Sequence, residues 1–169
     1  MTDHVYGDRR KRAIDAGMLW GAYHFIRPGD PVAQAKRFID MAGPTPDTLL
    51  ALDHEDPNVT LATARRFLET VEAQTGRRAV LYSGFLIKEQ LAARHDTATA
   101  AFLATHRLWL SHYSPNPKWP DVWRTPWLWQ FTGDGQGPPP HDVPGIATRS
   151  DVNSYDGTDD ELRNEWAAG

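Results

Sequence analysis

Leu49-Leu50-Ala51-Leu52-Asp53-His54-Glu55-Asp56 carries the chain from an unbroken apolar run straight into four ionisable side chains. The run reads as a buried strand, and the acids mark the end at which it emerges. Strand side chains alternate, so Asp53 and Glu55 point to one face and His54 and Asp56 to the other. Same-face neighbours on one strand sit roughly 6.5–7 Å apart at the backbone. Flexible carboxyl groups at that spacing can straddle a scissile bond, one donating a proton and the other staying ionised. The pattern points to a hydrolase.

Outward from this strand, apolar runs alternate with helical patterns. Residues 6–17 read as a helix closed by Gly17, and residues 19–25 as a strand. Pro31–Met41 opens on proline and repeats Val32, Ala35, Phe38 and Ile39 at helical spacing. Beyond the acidic cluster, Thr60 caps a helix that carries Leu61, Ala64, Phe67, Leu68 and Val71 and stops at Gly76. Ala79–Ser83 reads as a short strand, followed by helices over 84–94 and 97–105. Two aromatic-rich strands, 108–113 and 127–132, flank a Pro-rich loop. Residues 133–145 hold Gly and Pro too densely for regular structure and read as a surface loop. A last strand, Asp151–Tyr155, precedes a terminal helix over 158–167.

This order predicts one domain over residues 1–169 with a mainly parallel sheet. In a barrel-like version the C-terminal strand ends carry the active site. Those ends hold Tyr23-His24-Phe25, Asp53-His54-Glu55, Tyr82-Ser83, His112-Tyr113, Gln130 and Asp151. The set is polar and aromatic, as a carbohydrate cleft would be, although six strands are too few for an eight-stranded barrel.

Composition narrows the classes. Seven Trp, five Tyr and six Phe suit stacking on sugar rings as well as filling a core. A net charge of −4 argues against a nucleic-acid partner, which would meet a basic face. The basic run Arg9-Arg10-Lys11-Arg12 falls in a helix and reads as a solvated face. The absence of cysteine excludes disulfide and thiolate chemistry. No apolar stretch approaches the ~20 residues that span a bilayer, so no membrane partner is expected. Met1-Thr2-Asp3-His4 lacks signal-peptide character, so action outside the cytoplasm implies another route or a longer precursor.

Six segments, taken in order, carry a family resemblance: Gly21-Ala22-Tyr23-His24-Phe25, Leu52-Asp53-His54-Glu55, Leu81-Tyr82-Ser83-Gly84, Leu108-Trp109-Leu110-Ser111-His112-Tyr113, Leu128-Trp129-Gln130-Phe131-Thr132 and Asp151-Val152-Asn153. They resemble the strand motifs of the glycoside hydrolase family 25 lysozymes, muramidases of bacteria and their phages. The resemblance runs from about residue 5 to the end. It implies an α/β fold, a (β/α) barrel of the TIM-like type, flattened and incomplete at about six of eight strands. The family cleaves the β-1,4 bond between N-acetylmuramic acid and N-acetylglucosamine, so peptidoglycan glycan strands are the implied partner. By motif, Glu55 is the implied general acid. Asp53 is the implied stabiliser of an oxazolinium-like or oxocarbenium-like transition state, orienting the substrate's acetamido group. Asp151 matches a further acid of the family's cleft. Tyr23, Tyr82, Tyr113 and Gln130 fall where the family lines its sugar subsites, positions that ordinary barrel packing would fill equally well. The resemblance implies no metal or organic cofactor.

The chain departs from the family at its start. The family opens with a strand bearing an Asp-x-Ser motif and a second strand ending in a Thr-Glu-Gly-like segment. Neither is present, and Asp3 and Asp8 do not occupy that strand context. The domain therefore reads as N-terminally shortened relative to the family, with one side of the cleft lacking a charged group. Open edges beside 19–25 and 151–155 would recruit another chain, so a homodimer or a partner segment is expected there. Two functional outcomes follow: a working muramidase, or a sugar-binding remnant that keeps the cleft without turnover. Alternation disfavours a metal site, because His54 faces away from Asp53 and Glu55. Ser83-Gly84 lacks the elbow of a serine hydrolase. For the enzyme, Glu55 is expected to hold a raised pKa beside an ionised Asp53.

Overall fold

A computed structural model describes residues 5–93 and 96–168. The opening Met1-Thr2-Asp3-His4 and residue 94 of the expected 84–94 helix lie outside the described residues. The elements follow as α1 (Tyr6–Asp15), β1 (Gly21–Phe25), α2 (Pro31–Ala42), β2 (Leu49–Asp53), α3 (Leu61–Thr75), β3 (Val80–Ser83), α4 (Phe85–Ala93) and α5 (Thr97–Leu103). Then come β4 (Leu108–Ser111), β5 (Leu128–Thr132), β6 (Val152–Ser154) and α6 (Asp159–Glu165).

Local chemistry sets the helix ends. The Asp30 carboxylate accepts the Val32 and Ala33 N–H groups at 2.8 and 3.2 Å, and Pro31 takes the first turn of α2, where its missing N–H costs nothing. Thr60 caps α3 through Thr63 N–H at 3.2 Å. That helix stops at Gly76, whose φ of +69° is the left-handed conformation that glycine adopts without penalty.

The strands form one sheet in chain order, β1 to β6, curled into a half-barrel of the TIM-like type. β1 through β5 pair in parallel, each with the next, and β6 runs antiparallel to β5. This reversal corrects the grouping of Asp151 with strand C-termini. Asp151 precedes β6, and only because β6 runs backwards does it reach the rim where the parallel strands end. β4 also stops earlier than the 108–113 reading, because Ser114 N–H turns back onto the His112 carbonyl at 2.9 Å.

Alternation divides the sheet's faces. Leu50, Leu52, Leu81, Leu108 and Leu110 pack outward against Phe38 of α2, Phe67, Leu68 and Val71 of α3, Ile87 of α4 and Leu103 of α5. Fully burying such side chains contributes roughly 1.5–3 kcal/mol each. On the inner face Leu49, Ala51 and Val80 lie against Trp109, Trp127 and Trp166, forming an apolar floor at the N-terminal strand ends. Trp166 Nε1–H donates to the Trp20 carbonyl at 2.8 Å, and the Arg107 guanidinium lies 4.1 Å from the centre of the Trp127 ring. With its floor sealed, the inner face is left polar at the opposite end.

The basic run is not uniformly solvated. Arg10 donates to the Gly43 and Ala42 carbonyls at 2.9 and 3.3 Å, fixing α1 across the C-terminus of α2, where cations complement the helix dipole. Among the described residues, no helix is long and apolar enough to cross a membrane.

Candidate active site

Asp53 closes β2, paired in register with Phe25 of β1 and Tyr82 of β3, so the three share the inner face. It is 8% exposed, whereas Glu55, two residues on, stands exposed at the mouth. His54 between them turns to the helix layer, as alternation requires. It is fully buried, with Nε2 2.9 Å from Gln90 Oε1 of α4. Asp56 turns away as well: its Oδ1 accepts Asn58 N–H and Nδ2–H at 2.9 and 3.0 Å, and Oδ2 lies 3.5 Å from Arg27. These bonds, the Asn58 N–H first, hold Asp56 below the usual carboxylate range. The four ionisable residues thus separate into a cleft pair and a supporting pair.

Burial lifts both cleft carboxyls. Asp53 is pushed up to about 7, chiefly by desolvation and further by the Glu55 charge, against a smaller pull from Arg27. Glu55 is raised by desolvation alone. The expectation of a raised Glu55 stands, but that of a plainly ionised Asp53 does not. Asp53 is the deeper of the two, and among the described residues its buried Oδ1 has no hydrogen-bond partner, so only the weaker pull of Arg27 opposes its lost hydration.

A hydrogen-bonded chain forms the adjoining wall. Tyr82 O–H donates to Gln130 Oε1 and Gln130 Nε2–H to Tyr113 Oη, each at 2.9 Å. Gln130 is 3% exposed, so its amide is fixed by its two phenol partners. Burial raises both phenols, keeping them neutral donors. The Tyr82 ring meets Trp109 edge-on at 5.6 Å, and Trp109 Nε1–H reaches Asn153 Oδ1 at 2.7 Å. Asp151 joins beyond Tyr113, its carboxyl raised by burial and by nearby Asp134. Tyr23 also lies on the inner face, opposite Ala51, but is 71% exposed and stands apart from the chain.

Sequence reasoning missed several participants. Trp109 and Ser111 share the inner face by alternation and could have been found that way. Arg27 carries no motif, yet it pairs with Asp56, acts on Asp53 and lies 4.3 Å from the centre of the Phe25 ring. Gly133 matters through its missing side chain: a Cβ there would fall 2.4 Å from Tyr113 Oη and 2.7 Å from Asp151 Oδ1. No sequence pattern announces a required void.

The family model for Glycosyl hydrolases family 25 matches residues 1–139. The uncharacterized protein YegX of Escherichia coli O157:H7 is 31% identical over 173 residues, covering 96% of this chain. Its counterpart in Escherichia coli K12 is 30% identical over 172 residues. The chain spans 57% of the length of each of these curated relatives. Among solved structures, the muramidase from Acremonium alcalophilum superposes with a TM-score of 0.74 at 23% identity, over 99% of this chain and 81% of that one. The spore cortex lytic enzyme SleM from Clostridium perfringens gives 0.71 at 24% identity, over 94% and 56%. At these identities the structural likeness establishes the fold.

Proposed function

The chain belongs to glycosyl hydrolase family 25, and from that premise we propose that it is a peptidoglycan hydrolase cleaving the β-1,4 bond between N-acetylmuramic acid and N-acetylglucosamine. Glu55 protonates the glycosidic oxygen as the bond to the anomeric carbon breaks. Asp53 accepts the acetamido N–H of the substrate and stabilises the positive charge that develops. Tyr82, Gln130, Tyr113, Asp151 and Tyr23 contribute to the sugar subsites. The observation that carries this reading is the carboxyl pair itself: Asp53 on the inner face and Glu55 two residues on at the mouth, both raised, the deeper one keeping a buried oxygen without a hydrogen-bond partner among the described residues.

The proton inventory follows from that coupling. The working form holds one proton on the pair, and the reaction uses the arrangement with that proton on Glu55. As positive charge grows on the sugar, ionised Asp53 is favoured, so the charge that burial penalises in the free protein is neutralised in the transition state.

The test is the clearing of a bacterial cell-wall suspension, with released reducing ends counted. Glu55→Gln is expected to lose at least the ~10²–10⁴-fold supplied by a general acid. The rival reading, a sugar-binding remnant, draws on the open half-barrel. It prevails if the wild type releases no reducing ends while glycan binding survives Glu55→Gln. We also propose that the outer edge of β1, which pairs with no further strand among the described residues, is covered by a second copy of the chain or by a partner segment.

A further inference from the structure

Beyond Glu55 the rim continues into a feature that the cleavage chemistry leaves unused. Gly84 follows β3, and a Cβ at that position would lie 3.9 Å from Glu55 Oε1. The next residue, Phe85, is 61% exposed and meets the His112 ring edge-on at 4.7 Å. His112 Nδ1 in turn accepts the Lys118 N–H at 2.9 Å. One helical turn past Phe85 on α4 stands Lys88. Lys88 and Lys118 line a surface cavity of about 570 Å³ together with Trp119, Asp121, Trp123 and Arg124.

The cavity is built rather than incidental. Trp123 is 6% exposed and donates Nε1–H to the His106 carbonyl at 2.9 Å, while Trp119 Nε1–H donates to the Trp123 carbonyl at 3.1 Å. Pro117 and Pro120 flank the Trp119 segment and restrict its backbone. The loop between β4 and β5 is therefore pinned to the core through its own tryptophans. Its charge is unbalanced: Lys88, Lys118 and Arg124 share the lining with Asp121, and among the described residues none of the three cations forms an ion pair. Three cations against one carboxylate, beside tryptophan walls, favour an anionic ligand with apolar parts.

Resting on the hydrolase reading, we infer that this cavity is a subsite for the acidic peptide stem carried by the muramic sugar. A glycan strand bound across Glu55 would pass Phe85, whose exposed ring offers a stacking face. A peptide branching from it would reach the cations, which pair with its free carboxylates, and lay its aliphatic portions on Trp119. The site would bind substrate and take no part in proton transfer.

The experiment compares soluble peptidoglycan fragments that carry their stems with the same glycans after the stems have been removed by an amidase. In the triple variant Lys88→Gln, Lys118→Gln, Arg124→Gln, the ratio of kcat/KM on stem-bearing over stem-free glycan is expected to fall about tenfold, the combined scale of three exposed ion pairs. The wild-type preference should also fade in 1 M salt, where screening acts within about 3 Å. Exchanging each cation for the other type, Lys88→Arg, Lys118→Arg and Arg124→Lys, should restore the preference. A wild type that does not distinguish the fragments, or a variant that loses equally on both, overturns the inference. If the wild type turns over neither fragment, the hydrolase reading fails, and tryptophan fluorescence then decides the subsite. Quenching by the stem-bearing fragment alone supports it, and equal or absent quenching overturns it.

Discussion

Buried at the end of β2 with Oδ1 unmatched, Asp53 binds its proton more tightly in the folded chain than in the unfolded one. Its folded pKa of about 7 lies above the ordinary aspartate value of 3.8, so between these pH values the folded state holds more protons. Stability from this group is therefore fully present below the unfolded value and is lost as pH rises through about 7. Asp53→Asn keeps the shape and removes the penalty. The variant should melt higher than the wild type at pH 8, by the equivalent of about 1–4 kcal/mol, and show no such gain at pH 4. A gain of equal size at both pH values would show that the carboxylate is not the cause. The same substitution should depress turnover, a trade of stability against function common at active sites. In the pH profile of kcat/KM, activity should fall on the alkaline side as the pair loses its last proton. A profile with no ionisation above about pH 5 would remove Glu55 from its role. At this scale the acids were legible because alternation on a single strand fixes which residues share a face. The partition of charge between them was not, because it depends on the depth to which neighbouring strands and Arg27 enclose each carboxyl.

Elements whose ends carry strong local chemistry were readable in outline. The α3 helix declares itself through Thr60, a 3.6-residue apolar period and Gly76, and the structure follows all three. The β6 strand is different. Three residues contain no signal of direction, so only pairing with β5 reveals that it runs antiparallel and delivers Asp151 to the rim. The junction after β5 sets a further expectation. The atoms that crowd the Gly133 position are the tips of Tyr113 and Asp151 rather than backbone. Gly133→Ala should therefore leave the melting temperature nearly unchanged while displacing Tyr113 from Gln130. Glycan affinity should weaken several-fold, about 1 kcal/mol for one lost hydrogen bond. Titration calorimetry with an oligosaccharide measures this, and unchanged affinity would remove Tyr113 from the binding wall.

At the scale of the whole fold, sheet curvature separates an apolar floor from a polar mouth, and among the described residues β1 has no strand on its outer side. Unpaired strand edges template association, so light scattering is expected to report a dimer or a complex. A stable monomer without a partner would overturn this. The floor has a consequence of its own. Its bond from Trp166 to Trp20 joins residues 146 positions apart, and Arg163 reaches the Gly17 carbonyl across the same interval. A nascent chain leaving the ribosome cannot close that seam until residue 166 has emerged. Until then Leu49, Ala51 and Val80 have only Trp109 and Trp127 to pack against, although the strands bearing them are already available to pair. The floor is therefore completed from two distant parts of the sequence at once, and a nascent chain that has not yet exposed Trp166 carries an apolar surface that chaperones and other chains can reach.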